Sequence, residues 1–68
     1  MTTGEIIRAE RLNRRISCRQ LAKKSGLSLS TIFRIENDVS NHHIATLTLI
    51  TAALDMDVHD LISRSDNM

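Results

Sequence analysis

The amino-acid sequence predicts a compact all-α fold of five short helices. The 68-residue chain is 41% hydrophobic but has one Phe, no Trp and no Tyr, so its core must be built from Leu, Ile, Val and Ala. Such a core suits short helices better than sheets. Residues that begin and end helices also recur at short intervals. We therefore expect one domain over residues 1–68, with its core over about residues 4–63.

The first two helices are predicted from apolar spacing and from a capping signal. A first helix over about residues 4–14 is indicated by apolar residues near helical spacing: Ile7, Ala9, Leu12 and Ile16. Ser17 is followed three residues later by Gln20, which is a capping box. In this motif the serine oxygen accepts a free backbone N–H and the glutamine side chain accepts the N–H of the serine. A second helix should therefore begin at Cys18 and run to about Lys24.

The third helix is predicted between a glycine turn and a loop. Gly26 ends the second helix, because glycine adopts the left-handed conformation at a helix C-terminus without steric cost. Ser28 caps a third helix that runs to about residue 37. Ile32 and Ile35 share its inward face. The opposite face, with Leu29 at its border, points away from the core and holds Ser30, Phe33, Arg34 and Asn37.

Two more helices are predicted after a loop over residues 38–43. The fourth is indicated by Ile44, Leu47, Ile50 and Leu54. The fifth opens at Asp57, with Asp60 in its first turn, and is indicated by Val58, Leu61 and Ile62. A second apolar face of the fourth helix lies roughly opposite Leu47 and holds Leu49, Ala53 and Met56. A helix that is apolar on two sides needs two partners. We therefore predict a dimer interface formed by Leu49, Ala53, Met56 and Ile62.

Charge is distributed unevenly along the chain. The formal net charge is only +1 at pH 7. Divided after Arg34, the first part has eight Lys and Arg against two Glu, a charge of +6, and the remainder has one Arg against six acids, a charge of −5. One end of the molecule is therefore expected to attract polyanions. The single Cys18 excludes an internal disulfide, and no apolar run near the N-terminus suits a signal peptide or a membrane span, so we expect a cytoplasmic protein.

The run "ISCRQLAKKSGLSLSTIFRIEN" resembles the helix-turn-helix of the Xre family, the Cro and phage-repressor type of DNA-binding domain. The residues that match the family pattern are Leu21, Ala22, Gly26, Ile32, Ile35 and Glu36. The resemblance extends from about Ile7 to Ile62. It implies a sequence-specific transcriptional regulator, encoded by a bacterium or phage. Such a protein binds double-stranded DNA as a homodimer on a two-fold operator, with the third helix in the major groove.

The resemblance also implies roles for individual residues. The base-reading positions are Leu29, Ser30, Phe33 and Arg34, where arginine can donate two parallel hydrogen bonds to a guanine edge. The positions that hold phosphates are Ser17, Cys18, Arg19, Ser28, Thr31 and Asn37. Arg11 and Glu36 match a pair that forms a salt bridge between the first and third helices of the family.

Alternatives remain for several of these residues. Arg34 and Asn37 could simply belong to a solvated face, although base contact is favoured for a serine-capped short helix that follows a glycine turn. Phe33 either covers a thymine methyl or packs against the loop at Val39. The thiol of Cys18 is expected to have a lowered pKa beside Arg19 at a helix start, although a passive polar role is favoured over a redox switch. The three histidines lack the spacing of a metal site and are expected in loops or at the surface. No nucleophile has a base beside it, so we expect no catalysis, cofactor, metal or small-molecule substrate.

A different class of function also fits this fold. The domain could act as a protein-binding module, such as an antitoxin or adaptor, that uses the apolar stripe of the fourth helix to bind another protein.

The chain departs from the family pattern in the loop after the third helix. Asp38 stands where glycine is usual, Val39 where a basic residue is frequent and His42 where proline is common. At the end of the fourth helix, Asp55 also replaces a frequent glycine. Asp38 can adopt a left-handed turn, but an acid near the DNA backbone repels it, so these departures affect the loop's phosphate contacts more than the fold.

Overall fold

The computed structural model describes residues 1–39 and 42–65. In these ranges the chain forms helices and no strands, in the order α1 (Thr3–Asn13), α2 (Cys18–Ser25), α3 (Leu29–Glu36), α4 (Ile44–Ala53) and α5 (Val58–Arg64). The all-α prediction is confirmed, and the helices begin and end close to the predicted positions. Residues 40 and 41 of the predicted loop lie outside the described residues.

Side-chain caps begin four of the helices. At α2 the predicted box is present: the Oγ of Ser17 accepts the N–H of Gln20 at 3.0 Å, and Gln20 Oε1 accepts the N–H of Ser17 at 2.7 Å. A second capping box begins α1, where Thr2 Oγ1 accepts the N–H of Glu5 at 3.2 Å and Glu5 Oε1 accepts the N–H of Thr2 at 2.7 Å. Ser28 and Asp57 cap α3 and α5. Each such cap contributes about 1 kcal/mol, so these short helices begin at fixed residues.

The ends of α1 to α4 all use a residue with positive φ. Gly26 ends α2 with φ 78°, as predicted from its residue type. Arg15 after α1, Asp38 after α3 and Asp55 after α4 have φ between 55° and 56°. An L-residue in this conformation costs about 1 kcal/mol because Cβ approaches the following carbonyl. The left-handed turn predicted at Asp38 is confirmed, and two further helices end in the same strained way.

The helices pack around a core of Leu and Ile. Among the described residues, the buried hydrophobic side chains are Ile6, Ile7, Leu21, Ala22, Ile32, Ile35, Leu47, Ile50, Leu54 and Leu61. Helix α3 lies between α1 and α2, α4 contacts α2 and α5, and α1 also contacts α5. Burial of the inward face of α3 against two helices fixes which of its side chains face outward.

The predicted apolar face of α1 is wrong at two positions. Leu12 is 55% exposed and Ala9 is exposed, whereas Ile6, which the spacing did not include, is 1% exposed. The buried stripe of α1 instead runs through Ile7 to Arg11. Arg11 takes the place of an apolar residue in the last turn because it pairs with an acid on α3, and Leu12, one residue on, is turned to the surface.

The predicted inward face of α4 is wrong at its first residue. Ile44 is 56% exposed, while Leu47, Ile50 and Thr51 are buried. Thr51 fits the core because its hydroxyl donates to the carbonyl of Leu47 at 3.0 Å. Ile44 is the first residue of α4, one turn away from this buried set. Within residues 1–39 and 42–65, no helix has the length and hydropathy that a membrane span requires.

Candidate nucleic-acid interface

Helix α3 presents one of its sides to solvent. Its inward residues Ile32 and Ile35 are 0% and 3% exposed. Three of the four predicted base-reading residues face outward: Ser30, Phe33 and Arg34. The fourth, Leu29, is half-buried at the border of that side. A short helix with one fully buried and one exposed side can enter a groove without loss of core contacts.

Phe33 is an exposed aromatic residue. Its side chain is 51% exposed, and Val39, against which it was expected to fold as the alternative, is 71% exposed. Two side chains that bury each other would be less accessible than this. The structure therefore favours an outward role for the Phe33 side chain. The backbone carbonyl of Phe33 accepts the side-chain N–H of Asn37 at 2.8 Å. This bond directs the amide of Asn37 to the C-terminus of α3.

The start of α3 has two hydroxyl groups in contact. Ser28 Oγ accepts the N–H of Thr31 at 3.1 Å and lies 2.8 Å from Thr31 Oγ1. One of the two hydroxyls must donate to the other, so the pair keeps one hydrogen for an external acceptor. Ser28 is exposed and Thr31 is half-buried. This helix start, with its free backbone N–H groups, suits an anionic oxygen.

The start of α2 presents a similar arrangement. Ser17 accepts the N–H of Gln20, which leaves the hydroxyl hydrogen of Ser17 to donate outward. Arg19 is exposed in the first turn of α2. Cys18 differs from the expectation, because its Sγ lies 3.8 Å from Glu36 Oε1 and the thiol therefore points toward α3. Only the backbone N–H of Cys18 can take part in a contact at this helix start.

The predicted lowering of the Cys18 pKa is wrong. Partial burial of the thiol, together with the neighbouring carboxylate of Glu36, raises the pKa of Cys18, and Arg11 opposes this only in part. Both causes disfavour the thiolate. The sequence-based expectation considered Arg19 and the helix start, whereas the thiol turns inward to an acid. Cys18 therefore has the environment of a structural thiol.

Arg11 and Glu36 form a buried two-pronged salt bridge between α1 and α3. Arg11 Nε donates to Glu36 Oε2 at 2.7 Å and Nη2 donates to Oε1 at 3.1 Å, and the side chains are only 10% and 5% exposed. The hydrogen bonds to Glu36 raise the pKa of Arg11, against the effect of burial. Arg11 Nη1 also donates to the carbonyl of Ile16 at 2.9 Å. The pair thus holds the residue before the α2 cap against the end of α3.

Exposed cations on α2 and α3 have no acid of the described residues facing them. No carboxylate of the described residues lies within 4.0 Å of the side chains of Arg19, Lys23, Lys24 and Arg34. Among the cations elsewhere, Arg14 pairs with Glu10, and Arg64 Nη1 lies 3.0 Å from Glu10 Oε2. Arg8 and Arg15 are exposed and have no described carboxylate within 4.0 Å. The positive charge that remains uncompensated on α2 and α3 lies on the same elements as the predicted base and phosphate contacts.

The face predicted as a dimer interface is only partly exposed. Leu49 is 48% exposed, whereas Ala53 and Met56 are half-buried and pack against the core, and Ile62 is half-buried. The exposed stripe of α4 is displaced by about one position from the predicted one and consists of Ile44, Ala45, Thr48, Leu49 and Ala52. Spacing alone could not find this displacement, because it depends on how α4 is turned against α2 and α5.

His42 was expected at the surface but contacts another side chain. Its Nε2 lies 2.8 Å from Asp38 Oδ1, and the residue is half-buried. His43 and His59 are exposed. Within the described ranges, no group of three or more His, Cys, Asp or Glu side chains could hold a metal ion. The chemistry on α2 and α3 is therefore that of hydrogen-bond donors, an aromatic ring and unpaired cations.

These elements define a helix-turn-helix domain, and comparison with known proteins identifies its family. A family model described as helix-turn-helix (HTH_3) matches residues 7–61. The immunity repressor protein of Bacillus phage phi105 is 37% identical over 64 residues, which are 94% of this chain and 44% of that repressor. The chain therefore spans less than half the length of this relative.

Solved structures of SinR are also similar. SinR, the master regulator for biofilm formation, in complex with DNA has a TM-score of 0.84 and 32% identity, over 90% of this chain and 98% of that one. The N-terminal DNA-binding domain of SinR from Bacillus subtilis has a TM-score of 0.83 and 30% identity, over 97% of this chain and 96% of that domain. The matched chain of the SinR–SinI complex has a TM-score of 0.85 and 31% identity, over 93% of this chain and 62% of that one. These relatives are regulators rather than enzymes. The chain belongs to the Xre family of Cro and phage-repressor type helix-turn-helix proteins.

Proposed function

We propose that residues 1–68 form one DNA-binding domain of a cytoplasmic transcriptional regulator from a bacterium or phage. The observation that carries the proposal is Arg34: it is exposed on the outward side of α3, and no described carboxylate faces it. The relatives support the proposal, since one is a phage repressor and another was solved with DNA bound. Binding needs no cofactor or metal in this proposal.

Base recognition is assigned to α3 in the major groove. Arg34 donates two parallel hydrogen bonds to guanine O6 and N7, the commonest specific contact in that groove. Ser30, which can donate or accept, contacts a neighbouring base edge. Phe33, with half of its surface accessible, covers a thymine methyl. Leu29, half-buried at the start of the helix, limits which base can approach.

Phosphate contacts are assigned to the starts of α2 and α3. Arg19 supplies a charge, the hydroxyls of Ser17 and of the Ser28–Thr31 pair supply hydrogens, and backbone N–H groups supply the rest, including that of Cys18. Asn37 keeps one side-chain N–H that is not used on Phe33. These contacts carry no sequence information and set the position of α3 on the duplex.

The regulator is proposed to act as a homodimer on a two-fold operator. Leu49, with Ala53, Met56 and Ile62 beside it, forms the interface, and dimerisation places two α3 helices about 34 Å apart, one turn of DNA. Leu49→Glu should then give monomers, because it buries a charge in an apolar contact. Analytical ultracentrifugation at micromolar concentration checks this. A monomeric parent, or a dimeric Leu49→Glu variant, contradicts the interface.

The proposed function is tested by selection of bound duplexes from a random DNA library, followed by salt titrations. We expect an enriched sequence with two-fold symmetry. Log affinity for that sequence should fall linearly with log salt concentration, with a slope of about −0.9 per phosphate neutralised. Failure to enrich any sequence, or an affinity that does not respond to salt, contradicts DNA binding by the unpaired cations.

A second candidate is a protein-binding module such as an antitoxin or adaptor. The observation in its favour is the stripe of α4 around Leu49, which is 48% exposed in a helix that is apolar on most sides. SinR has itself been solved in complex with SinI. An apolar interface scarcely responds to salt, whereas phosphate neutralisation does. The salt titrations therefore separate the two candidates.

A further inference from the structure

Asp38 and Asp55 occupy equivalent positions at the ends of two helices. Both have φ 55°. The N–H of Asp38 donates to Ile35 O at 3.1 Å and the next N–H donates to Arg34 O at 2.9 Å. The same two hydrogen bonds occur after α4. The N–H of Asp55 donates to Ala52 O at 3.2 Å, and the N–H of Met56 donates to Thr51 O at 2.9 Å. Both helices thus end in a Schellman motif with aspartate where glycine is usual.

The carboxylates of these two residues have different surroundings. Asp38 Oδ1 accepts the N–H of Gly4 at 3.0 Å and lies 2.8 Å from His42 Nε2, and Oδ2 accepts the hydroxyl of Thr2. Burial alone would raise the pKa of Asp38, but the bonds from Thr2, His42 and Gly4 outweigh it and lower the pKa. No described residue donates a hydrogen bond to the carboxylate of Asp55. The backbone strain is the same at both sites, but only Asp38 has contacts that offset it.

The contacts of Asp38 join the start of α1 to the end of α3. A Cβ at Gly4 would lie 2.3 Å from Ile35 O and 2.6 Å from Glu36 O, so the two backbones meet closely there. Thr2 caps α1 and donates its hydroxyl to Asp38. The carboxylate of Asp38 therefore lies at the N-terminus of α1, whose partial positive charge attracts an anion. Asp38 and Gly4 are 34 residues apart in sequence. His42 extends the contact toward the start of α4.

We propose that Asp38 is a positioning residue for the α3 helix in DNA binding. It acts through its contacts with Thr2, Gly4 and His42, which hold the end of α3 against the start of α1. This inference rests on the proposed function. It also resolves why an acid is tolerated beside a DNA-binding helix: the charge is directed into α1 and hydrogen-bonded there. An acid left free at this place would instead repel phosphates.

The test compares Asp38→Gly with the matched control Asp55→Gly. Both remove one negative charge and relieve the same positive φ. Asp55→Gly should raise the melting temperature, because it relieves strain without loss of a described contact. Asp38→Gly should lower it. At a temperature where all proteins are folded, Asp38→Gly should weaken binding to the selected operator about tenfold, equivalent to about 1.4 kcal/mol, and Asp55→Gly should leave it unchanged.

The direction of the change in binding decides between positioning and simple charge repulsion. Loss of an unfavourable acid would strengthen binding to operator and random duplexes alike, so tighter or unchanged operator binding by folded Asp38→Gly overturns the inference. Asp38→Asn, which tolerates the left-handed turn and can still accept the N–H of Gly4, should recover most of the affinity. Failure of that variant to recover it also counts against the inference. A parent that binds no operator overturns the proposed function instead, and this inference with it.

Discussion

The exposed cations on α2 and α3 differ from three arginines on or next to α1 and α5 in what faces them. Arg11 on α1, Arg14 at its end and Arg64 on α5 each pair with a carboxylate. Arg8 and Arg15 are not part of this set, because no described carboxylate lies within 4.0 Å of either. Arg19 and Arg34 on α2 and α3 are exposed, and no described acid lies within 4.0 Å of either. The net charge of +1 hides this division. The pairs of Arg11 and Arg64 connect helices, whereas unpaired cations can neutralise phosphates.

Burial further divides the paired cations. Arg11 and Glu36 are nearly inaccessible and joined by two hydrogen bonds, while the side chains of Glu10 and Arg64 are 19% and 41% exposed. A buried pair that loses one partner leaves an uncompensated charge, and an exposed pair leaves only a solvated one. Loss of a paired cation should therefore affect stability according to its burial, and loss of an unpaired cation should affect DNA binding.

The largest effect is expected for Glu36→Ala. It leaves the guanidinium of Arg11 buried without its acid and should cost about 3 kcal/mol of the free energy of unfolding. In a domain of this size the melting temperature should fall by more than about 10 °C. Thermal unfolding followed by circular dichroism measures this. An unchanged melting temperature would show that the pair is exposed or unformed in solution.

Glu10→Ala is the matched substitution at the exposed pairs. It removes the acid shared by Arg14 and Arg64, and its cost should be less than about 1 kcal/mol because both pairs are accessible to solvent. The same unfolding measurement applies. A loss as large as that of Glu36→Ala would contradict the division by burial.

The smallest effect is expected in the acid range. Hydrogen bonds from Arg14 and Arg64 lower the pKa of Glu10. Its folded value lies below its unfolded value of about 4.3, so its contribution to stability is complete above that pH and is lost as pH falls through the folded value. Glu10→Gln should therefore lose less stability than the parent between about pH 5 and pH 3. Equal losses for the two proteins in chemical unfolding would show that Glu10 is not paired.

Sequence reasoning located the helices and the outward side of α3 because these depend on local signals. Ser17 with Gln20, and Gly26, fix the bounds of α2, and the burial of Ile32 and Ile35 leaves Arg34 outside. The Thr2–Glu5 capping box was missed although its pattern is visible in the sequence. A search for Ser or Thr followed three residues later by Glu or Gln finds it.

Other features depend on tertiary contacts that spacing does not contain. Arg11 occupies a core position on α1 because Glu36 faces it, so Leu12 lies at the surface. The thiol of Cys18 has a raised pKa because it meets the same acid. Asp38 finds its partners on α1, far away in sequence. In each case the chemistry of the residue was clear from its type, but its neighbour was supplied by the fold.

The central claim, that α3 reads sequence while α2 holds phosphates, is tested by salt titrations of Arg34→Ala and Arg19→Ala on operator and scrambled duplexes. Arg34→Ala should lose about 1–3 kcal/mol on the operator, relax the base preference at one position per half-site and affect scrambled DNA far less. Arg19→Ala should weaken both duplexes alike and flatten the salt slope by roughly one unit per half-site. If Arg34→Ala instead weakens both duplexes equally and keeps the base preference, Arg34 contacts phosphate and the account is contradicted.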